Sequence, residues 1–480
     1  MRKQIIRSII YFFFLFLCAA VSSCKKLVER PISINTPDNY YNTPGQIESA
    51  YAAAMNELYN EWGGYNGAGN DIFINDDQYY GGDLNITSSH GDNAWAMHYG
   101  ALLNINMALK AIKNGNLTAV NSDVINQLEG QGRFLRAYNY FMLVRMFGGV
   151  PLLTEDSPDP VTEQIGRSSI AETYALIESD FTDAIAKLPD SWSGKPGKPT
   201  KGAAKSLLAK AYLTMATAPM NETANYAKAA ALAAEVMQSG IYRLETDVND
   251  VFQDSHKYGP EIIWSLNAND VDRATDHHTY APDFLGGWSG GRVEPAFEQN
   301  FPVQSRKKAY LFYEYNGLPY TDPAWSPDNY PFIQKYLNVS AEDFSRGKSI
   351  MNIPIIRFAD VLLIYAEAKN KMNGGPTQDA VDAINLVRHR ANGNVSNPAY
   401  PDLAVAMTEE AFDEAVIQER SLELCFEMDR WFDMVRKRIV REKNSTYAQN
   451  FTEDDYLFPI PELDLRLNGK LVQNPGYPSP

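Results

Sequence analysis

Cysteine is scarce, with three in 480 residues at Cys18, Cys24 and Cys425, and only Cys425 lies deep in the chain. Its neighbours are apolar, so it reads as a small packed hydrophobe and not as a nucleophile. Basic charge is short as well. There are 43 Lys and Arg against 59 Asp and Glu, a formal charge of −16, which argues against nucleic acid as a partner. The six histidines form no metal-protease pattern, and none stands at ligand spacing with a cysteine. Gly194-Lys195-Pro196-Gly197-Lys198 has neither the spacing nor the backbone donors of a phosphate loop, and Asp270, Asp272 and Asp276 lack the Gly and closing Glu of a helix–loop–helix calcium site. No cofactor and no metal are expected. Long apolar runs are missing too, since Ile9–Ala20 is too short for a membrane span.

That run instead forms part of an export signal over residues 1–23, with Arg2, Lys3 and Arg7 as its charged start and Ser22-Ser23 before Cys24. Val21-Ser22-Ser23-Cys24 resembles a bacterial lipobox, making Cys24 an acylated first residue that anchors the chain to a membrane. Ordinary secretion with cleavage nearby is the alternative. With Cys18 removed and Cys24 acylated, no intrachain disulfide is left to form.

The remaining chain, 45% hydrophobic and 12% aromatic, is rich in helical signals. Thr43-Pro44-Gly45-Gln46 opens a helix predicted to run to about Tyr59. Ser122–Phe147 is a long helix stopped by Gly148-Gly149 and Pro151, Ser169 with Glu172 caps a helix to Lys187, and Thr200 opens another. The Ala203, Ala204 and Ala211 face with the Tyr226–Gln238 helix, and Asp360–Asn373 with Pro376–Ala391, read as hairpins of a tetratricopeptide-like scaffold. The stretch Ile417–Arg438 is expected as one buried helix, since Leu424, Met428, Trp431 and Val435 recur at steps of 4, 3 and 4. Arg420, Glu423, Glu427 and Arg430 fall on one stripe of it. Two carboxylates flanked by guanidiniums favour ionised forms, so this is expected to be a structural ion network and not a general-acid pair.

The pattern ER..EL.FE..RWFD..R in this stretch resembles the C-terminal signature of the SusD/RagB family of surface glycan-binding lipoproteins. GRFLRAYNYFMLVRMFGGVPL, TKGAAKSLLAKAYLTMA and the ending LFPIPELDLRLNGKLVQNPGY are similar to further motifs of that family. One departure is Glu427-Met428-Asp429, where the family more often has a Gly after the Glu; another is Lys25-Lys26, where acids often follow the cysteine. The resemblance implies a mostly α fold of discontinuous tetratricopeptide-like repeats forming a curved scaffold, with a loop-rich ligand side and minor β structure. It also implies a surface-facing outer-membrane location through the Cys24 anchor, a TonB-dependent barrel transporter as partner, oligosaccharide as ligand and no catalysis.

The expected organisation is a signal over 1–23, an N-terminal part over 24–250, an aromatic loop-rich segment over 251–355 and a C-terminal part over 356–480, with 24–480 as one compact unit. Eighteen Phe, Tyr or Trp lie between Phe252 and Phe344 among Pro, Gly, Asp and Asn. Residues 59–100 show a similar mixture and are expected to be loops up to about Trp95. Sugars present flat C–H faces beside hydroxyls, which suits aromatic planes edged by polar groups. The candidate glycan-binding residues are therefore Trp62, Tyr65, Tyr79, Tyr80, Asn85, Trp288, Arg292 and Trp325. A glycosidase pairing Asp76 or Asp77 with an acid in residues 270–330, and a binder of peptide or other cargo, stay open as alternatives.

Overall fold

Four helical hairpins, each leaning on the next, form the scaffold of the molecule. The structure is a computed structural model that describes residues 40–66, 71–74, 89–158, 162–194, 196–268, 281–287, 292–322, 330–337, 350–444 and 448–480, without the side chains at 59–66, 73–74 and 89–92. Contacts divide the chain into residues 1–41, of which only Tyr40 and Tyr41 are described, and one compact unit of residues 42–480.

In chain order the elements begin with α1 (Pro44–Asn66), β1 (Phe73–Ile74), α2 (Ser89–Lys113), α3 (Ser122–Phe147), α4 (Ile170–Lys187), α5 (Lys201–Met215) and α6 (Asn225–Gln238). Next come β2 (Ile262–Leu266), β3 (Arg292–Val293), α7 (Pro295–Asn300), α8 (Ser305–Tyr310), β4 (Leu311–Phe312), β5 (Glu314–Tyr315), β6 (Leu318–Pro319) and β7 (Phe332–Ile333). The chain closes with β8 (Ile353–Arg357), α9 (Phe358–Asn373), α10 (Gln378–Ala391), α11 (Glu409–Glu423), α12 (Asp429–Lys437), α13 (Val440–Lys443) and α14 (Glu462–Leu467).

The helix starts follow local chemistry. The Gln46 side chain accepts from the backbone N–H groups of Asn42 and Thr43, the Ser169–Glu172 capping box is complete, and the Thr200 hydroxyl accepts from Ala203 N–H. The hairpins are α1–α2, α3–α4, α5–α6 and α9–α10, and α6 packs directly on α9 across the long sequence gap between them. Close approach depends on small residues: a Cβ on Gly132 of α3 would lie 2.4 Å from the Tyr51 hydroxyl and 2.7 Å from Leu109, so a larger residue there would push α1 and α2 away. No helix among the described residues is long and apolar enough to cross a membrane.

Between α6 and α9 the chain leaves the scaffold and returns. Its exit and entry are β2 and β8, which pair antiparallel with Ile262 opposite Arg357 and Leu266 opposite Ile353. The helix expected from Asp360 begins instead at Phe358, directly after the strand ends at Arg357. Among its described residues the segment in between holds the short helices α7 and α8 and two-residue strands, of which β3, β7 and β4 join the distant β1 in a sheet of order β1-β3-β7-β4 while β5 and β6 form a small hairpin. Two further expectations need correcting. The helix α1 does not end near Tyr59 but continues through Trp62 and Tyr65 to Asn66, despite Gly63 and Gly64. The stretch Ile417–Arg438 is not one helix but two, α11 and α12, parted by residues 424–428 in which Phe426 and Met428 have φ of 65° and 73°.

Candidate functional site

The break between α11 and α12 is the anchorage for the inserted segment. Opening a helix frees carbonyls that need donors. Here Lys335 Nζ donates to the carbonyls of Glu423 (2.9 Å) and Cys425 (2.8 Å), the Tyr336 hydroxyl donates to Phe426 O (2.8 Å), and Arg357 donates to Glu423 O (2.9 Å). The carboxylates beside the break are matched as well. Glu423 receives Arg306 (2.8 Å), Arg357 (3.0 Å), Arg390 (2.5 Å) and the Tyr310 hydroxyl (3.0 Å), while Glu427 receives Lys335 (2.5 Å) and Arg357 (2.6 Å). Arg306, Tyr310, Lys335 and Tyr336 all come from the inserted segment. A buried charge is tolerated only when paired, so this hub fixes where the insert sits on the scaffold.

Arg420 and Arg430, expected beside those carboxylates, turn elsewhere. Arg420 pairs with Asp360 (2.6 Å) and Asp433 (2.8 Å), and Arg430 grips Asp71, just before β1, through two contacts of 2.6 and 2.5 Å. Among the described residues none of Arg420, Glu423, Glu427 and Arg430 pairs with another of the four, because the bend turns their stripe apart. Burial alone would raise the Glu423 carboxyl, but Arg390, Arg357 and Arg306 outweigh it and hold it well below the usual carboxylate range. It has no proton to give as a general acid. Burial also pushes the Cys425 thiol up to about 11, which keeps it protonated and inert.

What the hub holds in place is an aromatic shelf. In the four-stranded sheet, Phe312 of β4 and Arg292 of β3 both lie opposite Phe332 of β7. The chain then turns through Asn316-Gly317, both at positive φ (51° and 78°), the geometry of a tight two-residue hairpin that only such residues adopt easily. This turn lifts Tyr315 into solvent. The Phe284 ring, from a single helical turn at Asp283–Leu285, lies 5.1 Å from Tyr315 at 35° and 6.5 Å from Phe312 at 32°. Phe332 closes the shelf from below, edge-on to Phe284 at 6.4 Å. Phe284 and Tyr315 are each 38% exposed, and Asp283, Glu314 and Asn316 beside them face solvent. Three mutually tilted rings with carboxylate and amide groups at their edges can take the flat face of a sugar and hydrogen-bond its hydroxyls.

Of the residues singled out from sequence, Arg292 is in this sheet, its guanidinium 5.4 Å from the Tyr330 ring centroid. Trp62 and Tyr65 lie on helical backbone in α1, with side chains outside the described residues, and Cys24, Tyr79, Tyr80, Asn85, Trp288 and Trp325 lie outside them altogether. Trp95, where the loops were expected to end, lies within α2, is 4% exposed and packs against Tyr99 and Phe147. Phe284, Phe312 and Tyr315 were missed. The Asn-Gly pair inside Glu314–Pro319 was the available signal for Tyr315, since it marks a hairpin that must present side chains outward.

Two family models match the chain, one described as the SusD family over residues 274–477 and one described as "Starch-binding associating with outer membrane" over residues 37–213. The chain is 26% identical over 526 residues to SusD-like protein P2 of Formosa agariphila, covering 97% of this chain and 99% of that protein. A SusD superfamily protein from Parabacteroides distasonis has a TM-score of 0.74 at 26% identity, covering 90% of this chain and 99% of that one. Surface glycan-binding protein A from Bacteroides thetaiotaomicron, solved in complex with laminarihexaose, shares the fold with a TM-score of 0.72 at 20% identity, covering 90% and 99%.

Proposed function

Because this chain belongs to the SusD family, we propose that it is a lipid-anchored glycan-capture protein of the outer membrane that hands oligosaccharide to a TonB-dependent barrel transporter and carries out no catalysis itself. The observation that carries this reading is the solvent-open shelf of Phe284, Phe312 and Tyr315. Cleavage after Ser23 leaves Cys24 to hold the acyl chains, facing the protein outward from the cell. The helical-repeat face meets the transporter and the inserted segment holds ligand, with Trp288, Arg292, Trp325, Trp62, Tyr65, Tyr79, Tyr80 and Asn85 as further candidate ligand contacts.

A neutral β- or α-glucan fits best. The laminarihexaose bound by one relative supports a glucan, and the net charge of −16 disfavours strongly anionic glycans. Affinity is modest, because an open stacking surface leaves much of each sugar hydrated. The test is calorimetry of residues 25–480 with a panel of laminari-, malto- and other oligosaccharides, repeated with Tyr315→Ala and Trp288→Ala. One glycan class should bind, and Tyr315→Ala should weaken it by about tenfold, the order of a lost stacking contact. Unchanged binding in Tyr315→Ala moves the site off the shelf, and no binding across the panel moves the function to peptide or other cargo.

A further inference from the structure

Nearly every deeply buried arginine in the molecule has carboxylates around it. Arg136 reaches Asp180 and Glu155, Arg306 reaches Glu419 and Glu423, and Arg436 reaches Glu367 and Asp433. Arg145 of α3, which is half-buried, does not. Its guanidinium carbon sits between the rings of Phe141 (4.0 Å) and Phe432 (3.9 Å). Its Nε donates to Phe141 O at 3.2 Å and one terminal nitrogen lies 2.6 Å from Met142 Sδ, and no carboxylate pairs with it among the described residues. The nearby acids are already engaged: Asp429 by Lys210, Asp433 by Arg420 and Arg436. Burial pulls the Arg145 pKa below its ordinary value, the expected consequence of a desolvated cation with no close counter-ion.

Arg145 also lines a cavity of about 160 Å³ between α3, α4, the end of α5, α12 and the chain at residues 218–219, 453–457 and 475, with none of the shelf residues in its wall. Val144, Ile170, Val435 and Leu457 give it an apolar wall. Tyr174 of α4 also lines it, and its hydroxyl makes no hydrogen bond among the described residues. Glu453 and Asp454, both exposed, also line it, as do Arg436 and Arg438, and Arg438 stacks 3.9 Å over Tyr456 and reaches Glu453 at 3.5 Å. An apolar space of this size holds a benzene-sized group, and a cation with no carboxylate partner, together with a hydroxyl that makes no hydrogen bond, favours a carboxylate on it.

We propose that this cavity is a second ligand site, for a small monocarboxylate with an apolar body of about benzene size, its carboxylate held by Arg145 and the Tyr174 hydroxyl. The ligand supplies the counter-ion that the fold itself withholds.

The probe is benzoate, titrated calorimetrically into the full-length protein beside benzyl alcohol, which matches its size without the charge. Benzoate is expected to bind one to one and about tenfold or more tighter than the alcohol, the order of a charge-assisted hydrogen bond. Arg145→Met should bring benzoate down to the level of the alcohol, and Tyr174→Phe should weaken benzoate severalfold. Should Arg145→Met fail to fold, Tyr174→Phe decides, since it removes one oxygen from a wall otherwise unchanged. Benzoate binding no tighter than benzyl alcohol, or unaltered by Tyr174→Phe, overturns the assignment.

Discussion

In the scaffold, α5 meets its neighbours α4 and α6 through small apolar side chains, with Ala203, Ala204, Ala209 and Ala211 each at most 1% exposed. Among the described residues of the segment between β2 and β8 no strand exceeds two residues, and its attachment runs through Arg306, Tyr310, Lys335 and Tyr336 to the break between α11 and α12. Apolar contact is strong but without direction, so it suits helices that need only lie close. Ion pairs and donors to bare carbonyls carry little net stability but are exacting in geometry. A segment that has to present Phe284, Phe312 and Tyr315 in one arrangement is accordingly tied down by charge. The contrast is one of degree, since Arg136, Glu155 and Asp180 place a smaller ion cluster inside α3 and α4.

The strongest challenge to this contrast is Glu423→Ala. It leaves Arg306, Arg357 and Arg390 buried around an empty site and should cost roughly 3–5 kcal/mol in urea denaturation. Glycan binding by the shelf should weaken with it even where the helical circular-dichroism signal is kept. A loss below about 1 kcal/mol, the range of a surface pair, would mean that the hub does not hold the insert.

Acid should act in the same direction with smaller effect. Burial tends to raise Glu155, but Arg136 outweighs it and brings the carboxyl to about 2, and Glu423, Glu367 and Asp360 are likewise held well below the usual range. A depressed folded pKa gives stability that is complete above the unfolded value, 4.5 for Glu, and is lost as pH falls towards the folded one. Burial raises Asp180 and Asp429, which offsets part of that loss. The urea midpoint should thus hold from pH 6 to about 4.5 and decline from there to pH 3. A flat midpoint across that window would remove ion pairing from the account of the hub.

The smallest effect, and of opposite sign, is expected at Met428. Its φ of 73° is a conformation costly to any residue but glycine. Met428→Gly should stabilise by roughly 1 kcal/mol in the same denaturation experiment, with glycan binding unchanged. Destabilisation would show that the Met428 side chain, half-buried beside Phe432, contributes more by packing than its backbone loses.

Much of the scaffold was legible in the chain because its signals are local. The limits of α3 follow from Asn121, Gly148 and Pro151, and those of α4 from the Ser169–Glu172 box, all within a few residues of the ends they set. Burial of Arg420, Glu423, Glu427 and Arg430 was legible too, since charges in so apolar a stretch need partners. Their partners were not. Glu423 meets Arg390 across 33 residues, Arg357 across 66 and Arg306 across 117, and no periodicity records such distances. The shelf was half visible: the abundance of aromatics in 251–355 pointed to the right segment, but which rings face outward depends on strands two residues long.

The amino-acid order settles where helices start, stop and pair, because caps, small faces and apolar steps act within one or two turns. The break at residues 424–428 belongs to the folded molecule alone. Apolar steps of 4, 3 and 4 run through it unbroken, and Phe426 and Met428 take up positive φ only because Lys335, Tyr336 and Arg357 arrive from elsewhere to donate to the carbonyls that the break exposes.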